Sequence, residues 1–307
     1  MIISASRRTD IPAYYSEWLI NRMREGFVYV KNPMNPNQIS RIDLSYEVID
    51  GIVFWTKNPL PMMKYIDVFK SIPYYFQFTL TSYSNDIETG LPSKNTVLIP
   101  TFIELSNTIG ADRVIWRYDP IVLSEKYTVE YHIRYFEKMA RRLSGYAKRC
   151  TISFLDIYRN TEKNMRHLGI KAINQEDMHI IARTFSDIAS ANNISLSTCT
   201  EKIDLAEYGI KHAKCIDPEI FEQITGNKYR HIKDRNQRSE CGCAPSIDIG
   251  AYNSCLNGCL YCYTNYNKST VPSNNAMHDP ASPIIIGKVT PEAKITDRQI
   301  ASALEYL

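Results

Sequence analysis

The 307-residue chain has no long apolar run, no low-complexity tract, no short repeat and almost no net charge. No stretch approaches the roughly 18 consecutive apolar residues of a membrane-spanning helix, so no span and no membrane partner are expected. Residues 1–6 are small or apolar and lead straight into Arg7 and Arg8, too short a stretch for a secretory signal. With 36 basic against 33 acidic residues the net charge is +3, too weak a field to argue for nucleic acid on electrostatics alone. The composition, 44% hydrophobic and 22% charged, is ordinary for a globular chain and leaves no reason to expect extended disorder.

Cysteine is unevenly distributed. Of Cys150, Cys199, Cys215, Cys241, Cys243, Cys255, Cys259 and Cys262, seven follow residue 198. In a small secreted domain this would read as a disulfide framework. In a chain this long without a signal, thiolates for metal in a reducing, cytoplasmic compartment are expected instead.

Cys255, Cys259 and Cys262 stand as Cys-x3-Cys-x2-Cys. A loop of that length can turn three thiolates toward one point, and three thiolates on a [4Fe-4S] cube leave one iron without a protein ligand. The closed ferredoxin spacing, Cys-x2-Cys-x2-Cys-x3-Cys, is absent and no fourth cysteine follows. Zinc with a fourth ligand from elsewhere would use the same thiolates, and a disulfide pair is a further alternative. Cys199, Cys215, Cys241 and Cys243 make a second set whose count is that of a closed site, suited to a second [4Fe-4S] cluster or to zinc. Cys150 opens a strand and reads as core. His167, His179 and His278 lack ligand spacing, and Trp18 and Trp116 read as packing.

Short β-branched or aromatic runs alternate with amphipathic stretches, the pattern of βα units around a parallel sheet. Strands are expected at 2–6, 51–55, 74–80, 113–116, 151–155 and 194–198, with a hairpin of 27–30 and 39–44 inserted after the first helix. That helix follows Asp10 as its N-cap and buries Ile11, Tyr15, Trp18, Leu19 and Met23. Two more helices have apolar faces at Ile99, Phe102, Leu105 and Ile109, and at Met178, Ile181, Ala182, Phe185, Ile188 and Ala189. The expected fold is α/β: a (β/α) partial or full TIM-type barrel over residues 1–200, with a cysteine-rich C-terminal cap over 201–307. The run 246–250, just before Cys255, could be a displaced strand.

Reactive groups of such barrels gather where strands end. Those positions hold Arg7, Arg8, Thr9 and Asp10; Trp55, Thr56 and Lys57; Gln77, Thr79, Thr81 and Tyr83; Arg117 and Asp119; Asp156 and Tyr158; and Ser197, Cys199 and Glu201. Singly each reads as an ordinary loop residue. Together, Arg7, Arg8, Lys57 and Arg117 facing Asp10, Asp119, Asp156 and Glu201 would form a balanced polar mouth suited to a zwitterion.

The three-cysteine loop resembles that of radical S-adenosylmethionine (SAM) enzymes, Cys-x3-Cys-x-aromatic-Cys, with Tyr261 in the aromatic slot. The strings 4–12, 53–59, 117–121, 241–243 and 248–252 resemble a bacterial and archaeal family known only as a domain of unknown function, and a more distant likeness to spore photoproduct lyase rests on the cluster loop. These resemblances imply a partial (β/α)6 barrel, a [4Fe-4S] cluster with SAM on its open iron, and an electron donor such as ferredoxin or flavodoxin. They also imply hydrogen abstraction from a substrate they do not identify. Tyr261 would pack by the adenine, Thr56, Lys57, Arg117 and Glu201 would contact the cofactor, and Arg7, Arg8, Asp10, Lys57, Arg117, Asp119 and Asp156 would line the catalytic mouth. Two departures stand out: no Gly-Gly-Glu string is present, and the cysteine loop comes after the six strands instead of after the first. Rival readings are a zinc-stapled module binding nucleic acid through Arg7, Arg8, Arg235 and Arg238, and a barrel hydrolase with Asp119 and Asp156 as acid and base.

Overall fold

A computed structural model describes residues 1–157, 159–299 and 301–305. Its strands are β1 (Ile2–Ala5), β2 (Phe27–Asn32), β3 (Asn35–Asp43), β4 (Gly51–Thr56), β5 (Tyr74–Thr79), β6 (Val114–Ile121), β7 (Arg149–Phe154), β8 (Ser195–Thr198), β9 (Lys211–His212), β10 (Ile247–Asp248) and β11 (Lys294–Asp297). Eight of them form one sheet in the order β10-β1-β4-β5-β6-β7-β8-β9, and every pairing in it is parallel. Helices alternate with these strands, so the chain has an α/β fold. Among the described residues the edges β9 and β10 do not pair with each other, which leaves the sheet open and consistent with a partial barrel.

Parallel strands covered on both faces lose the polar-apolar alternation of a half-exposed strand. Accordingly β4 and β5 are buried along nearly their whole length. Phe54 of β4 stacks on Phe76 of β5 at 4.7 Å between centroids. On the next strand Trp116 stacks on Phe136 at 4.9 Å, and Phe136 on Phe185 at 3.8 Å. That stack ties the helices Val129–Leu143 and Gln175–Ala191 to β6, and each buried ring is worth roughly 1.5–3 kcal/mol of transfer free energy. Trp18, Trp116 and Cys150 are core, as expected. No helix among the described residues is long and apolar enough to cross a membrane.

The sheet extends beyond the six expected strands. The run before the cysteine loop supplies β10, which pairs with β1 through Ile3 with Ile247 and Ser4 with Asp248. The cysteine loop therefore follows an edge strand beside β1, although it comes late in the chain. Residues after 200 also provide β9, so the C-terminal region shares the sheet of the core. The strand expected at 113–116 runs on to Ile121, with its register broken between Tyr118 and Ile121. The hairpin β2-β3 turns at Pro33 and Met34 and joins β11 in a separate three-stranded sheet.

The first helix is broken in two. Asp10 caps it, accepting from the Ala13 amide at 3.1 Å, but it spans only Ile11–Tyr14 before a second helix, Ser16–Glu25, begins. At the break Tyr15 turns its hydroxyl to the Ser254 carbonyl, 2.6 Å away, beside the first loop cysteine.

Candidate functional site

A cavity of about 360 Å³ opens at the C-terminal ends of the parallel strands. Residues at or just after the ends of β1, β4, β5, β6, β7 and β8 line it, together with all seven cysteines that follow residue 198. Of the polar residues expected at the mouth, Arg7, Asp10, Thr56, Lys57, Arg117, Asp119, Asp156, Glu201 and Tyr261 are on its wall. Arg8 is not: it lies over the Tyr252 ring at 5.1 Å and within 3.8 Å of Asp248. Tyr158 falls outside the described residues.

The cysteine loop is stapled to two strand ends. Asp10 accepts from the Asn257 side chain at 2.9 Å and from the Lys57 amide at 2.8 Å, linking the ends of β1 and β4 to the loop. Tyr14 donates to Asn257 at 2.8 Å. On the other side, segment 87–90 bonds the loop through Gly90 N to Asn257 O at 3.0 Å and Leu260 N to Ile87 O at 2.9 Å. Glycine at 90 is required by this contact, because a Cβ there would stand 2.3 Å from the Leu256 carbonyl oxygen. Burial raises the Asp10 carboxyl, against the lowering effect of its hydrogen bonds.

The centre of this anchorage is Glu88, a residue the sequence did not single out. Its carboxylate is 1% exposed and accepts from Lys57 at 2.8 Å, from Thr81 at 2.8 Å, from Lys94 and from the Tyr261 hydroxyl. Burial pushes the Glu88 carboxyl up, but Lys57 and Lys94 outweigh it and hold it at about 2. Lys57, expected as a cofactor contact, is thus already paired, and its ammonium lies 5.3 Å from the Tyr261 ring centroid.

Burial raises Cys255 strongly and Cys259 to about 12, the latter against the opposing pull of Lys57. Negative charge on Cys262 and Cys259 also raises Cys255, and charge on Cys262 raises Cys259. In the second set the Cys199 and Cys215 sulfurs are 3.1 Å apart, and Cys215, Cys243 and Cys241 influence one another's ionisation. The bond from Cys243 lowers Cys241 to about 7 despite its burial. Among the described residues no three His, Cys, Asp or Glu side chains converge closely enough to hold a single metal ion.

Arg117 bridges the second thiol set and the strand ends. It donates to Cys215 Sγ at 3.0 Å, to Gln77 at 3.2 Å and to Asp119, and stands 5.4 Å from the Trp55 ring centroid. Burial raises Asp119, but Arg117 and the Ser153 hydroxyl win and lower it. Asp156 instead sits at the rim, paired with Arg238 at 2.6 Å. The two aspartates therefore sit in different environments, each paired with an arginine. Glu201 accepts from the Phe154 amide at 2.8 Å and is raised to about 7, first by burial and then by Asp156, Asp119 and Cys199. Arg7 lies 5.7 Å from the centroid of the same indole and has the Ser246 hydroxyl as acceptor at 3.0 Å.

Among the described residues four buried side-chain polar atoms lack a hydrogen-bond partner, and three of these, Thr9 Oγ1, Trp55 Nε1 and Asn265 Oδ1, belong to residues of the cavity wall. Buried polar groups are nearly always paired, so these three atoms have hydrogen-bonding capacity left over toward the cavity.

The chain belongs to the family described as a domain of unknown function, DUF1848, which matches residues 2–264. Among curated proteins none matches it.

Proposed function

We propose that this member of the DUF1848 family is a radical SAM-type enzyme in which Cys255, Cys259 and Cys262 hold a [4Fe-4S] cluster. The observation that carries the reading is that these three thiols line the cavity at the strand ends, in company with charged residues, instead of lying on an outer surface. Three soft thiolates and no fourth cysteine in the loop match a cube that keeps one iron for a small molecule. The partnerless atoms of Thr9 and Asn265 fit the same reading, since Asn265 also holds the Cys255 carbonyl at 2.7 Å.

When bound, the reduced cluster would give one electron to SAM, whose S–C5′ cleavage to methionine would supply a carbon-centred radical able to take a hydrogen atom from substrate. The chain's own residues orient and shield. Lys57 favours the deprotonated sulfur of Cys259, and Glu88 fixes both Lys57 and Tyr261, so the loop is held at a set depth. With Lys57 paired to Glu88 and Arg117 to Asp119, Arg7 is the cavity arginine whose acceptor is a hydroxyl, and it is assigned to the SAM carboxylate. Glu201, a carboxyl near neutrality, faces the same space.

Anaerobic reconstitution followed by reductant and SAM is expected to yield 5′-deoxyadenosine, and Cys259→Ala to abolish it. A chain that assembles its cluster yet never cleaves SAM would sink the proposal.

A further inference from the structure

We infer that Cys199, Cys215, Cys241 and Cys243 form a second metal centre on the same cavity, a site for a soft metal held by four thiolates.

Three stretches of chain meet to make it, and each is fixed by hydrogen bonds of its own. Cys199 follows β8 and its amide bonds to the Ile152 carbonyl at 2.9 Å. Cys215 follows β9, and its carbonyl takes both the Tyr75 hydroxyl at 2.8 Å and the Gln77 amide at 2.9 Å. The segment of Cys241 and Cys243 is held by Ala244 N to Ile216 O at 3.0 Å and by Asp234 N to Cys243 O at 2.9 Å.

Donors converge on the sulfurs. The Arg117 guanidinium reaches Cys215 Sγ at 3.0 Å, and the Ile216 amide reaches Cys243 Sγ at 3.5 Å. Trp55, whose indole N–H is buried without an acceptor, packs against the apolar cluster that contains Cys215, Cys241 and Cys243. A neutral thiol is a weak acceptor, whereas a thiolate bound to metal accepts strongly and leaves negative charge that a nearby guanidinium offsets. All four cysteines are free of disulfides, so the thiols are available.

As placed, the described ligand side chains do not converge on one metal position, so the sulfurs must move to bind. Tetrahedral zinc-thiolate bonds of about 2.3 Å put sulfurs roughly 3.8 Å apart, against 3.1 Å for Cys199 and Cys215. Cys241 and Cys243 would close the site by turning their side chains about the Cα–Cβ bonds. A [4Fe-4S] cluster uses the same four thiolates with the sulfurs turned further outward.

Iron, zinc and acid-labile sulfide per chain, measured on the anaerobically purified full chain, test the inference. Cys215→Ser and Cys199→Ser are each expected to lose one fixed complement while keeping the metal that Cys259→Ser loses. A loss of about four irons and four sulfides means a cluster, and a loss of one zinc means a mononuclear site. Unchanged metal content in both variants overturns the inference. Should neither variant fold, Cys259→Ser decides: a Cys259→Ser chain that retains neither zinc nor about four irons overturns it. If Cys259→Ser loses nothing while Cys215→Ser does, the second centre stands and the proposed function falls.

Discussion

Replacing Glu88 by glutamine keeps the shape of the side chain but removes the charge that two lysines and a tyrosine share. Held at about 2 instead of its ordinary 4.5, the carboxylate contributes roughly 3 kcal/mol to stability at neutral pH. An independent route gives a similar size, since breaking a buried ion pair from one side costs about 3–5 kcal/mol. Glu88→Gln should therefore lower the free energy of unfolding by about 3 kcal/mol, read by urea titration at pH 7 under anaerobic conditions. The sign with pH follows from a lowered acid. The contribution is fully present above the ordinary value of 4.5 and is lost as pH falls through about 2, so the variant should lack that part of the acid-side decline. Lys126→Ala is the control, because the Lys126–Asp86 pair has the same kind of 2.7 Å contact but is partly exposed, and less than about 1 kcal/mol is expected. A Glu88→Gln variant within about 0.5 kcal/mol of wild type would refute the reasoning that burial makes this ion pair decisive.

Two other changes probe how the cysteine loop is held. Gly90→Ala forces a Cβ to within 2.3 Å of the Leu256 carbonyl, and should cost about 1–3 kcal/mol and speed alkylation of Cys259 by iodoacetamide. Gly110→Ala meets no atom within 4 Å but sits at φ 96°, so it should cost about 1 kcal/mol and leave the alkylation rate alone. Asp10→Ala removes a helix cap together with the Lys57 and Asn257 bonds, for an expected loss of about 1–3 kcal/mol in urea unfolding. Because burial raises the Asp10 carboxyl, its titration favours the fold at low pH and less so as pH rises through its folded value. Asp10→Asn should therefore flatten stability on that side.

The strand ends and the cysteine loop were legible because each has a local signature: apolar runs of strand length for the first, thiol spacing for the second. Even the two-residue β10 could be anticipated from the apolar residues around Asp248. β11 could not, since Lys294–Asp297 is exposed throughout and pairs only with a hairpin strand. Glu88 was invisible for a different reason. Its partners Lys94, Lys57 and Tyr261 lie 6, 31 and 173 positions away, and its own segment has no periodicity that would mark it as buried.

That omission changed the reading of its neighbours. A sequence shows which charges reach a barrel mouth but not which of them are already neutralised there, because neutralisation depends on contacts between distant segments. Lys57 and Arg117 both looked like cations waiting for a ligand, yet each has a carboxylate of its own, Glu88 and Asp119. Arg7 looked no different from them in the sequence. Its acceptor is a serine hydroxyl, so an incoming carboxylate would meet a guanidinium that, among the described residues, no carboxylate has to give up. Binding there costs no broken ion pair, and Arg7→Gln should weaken binding of SAM more than the corresponding change at Lys57 does through charge alone.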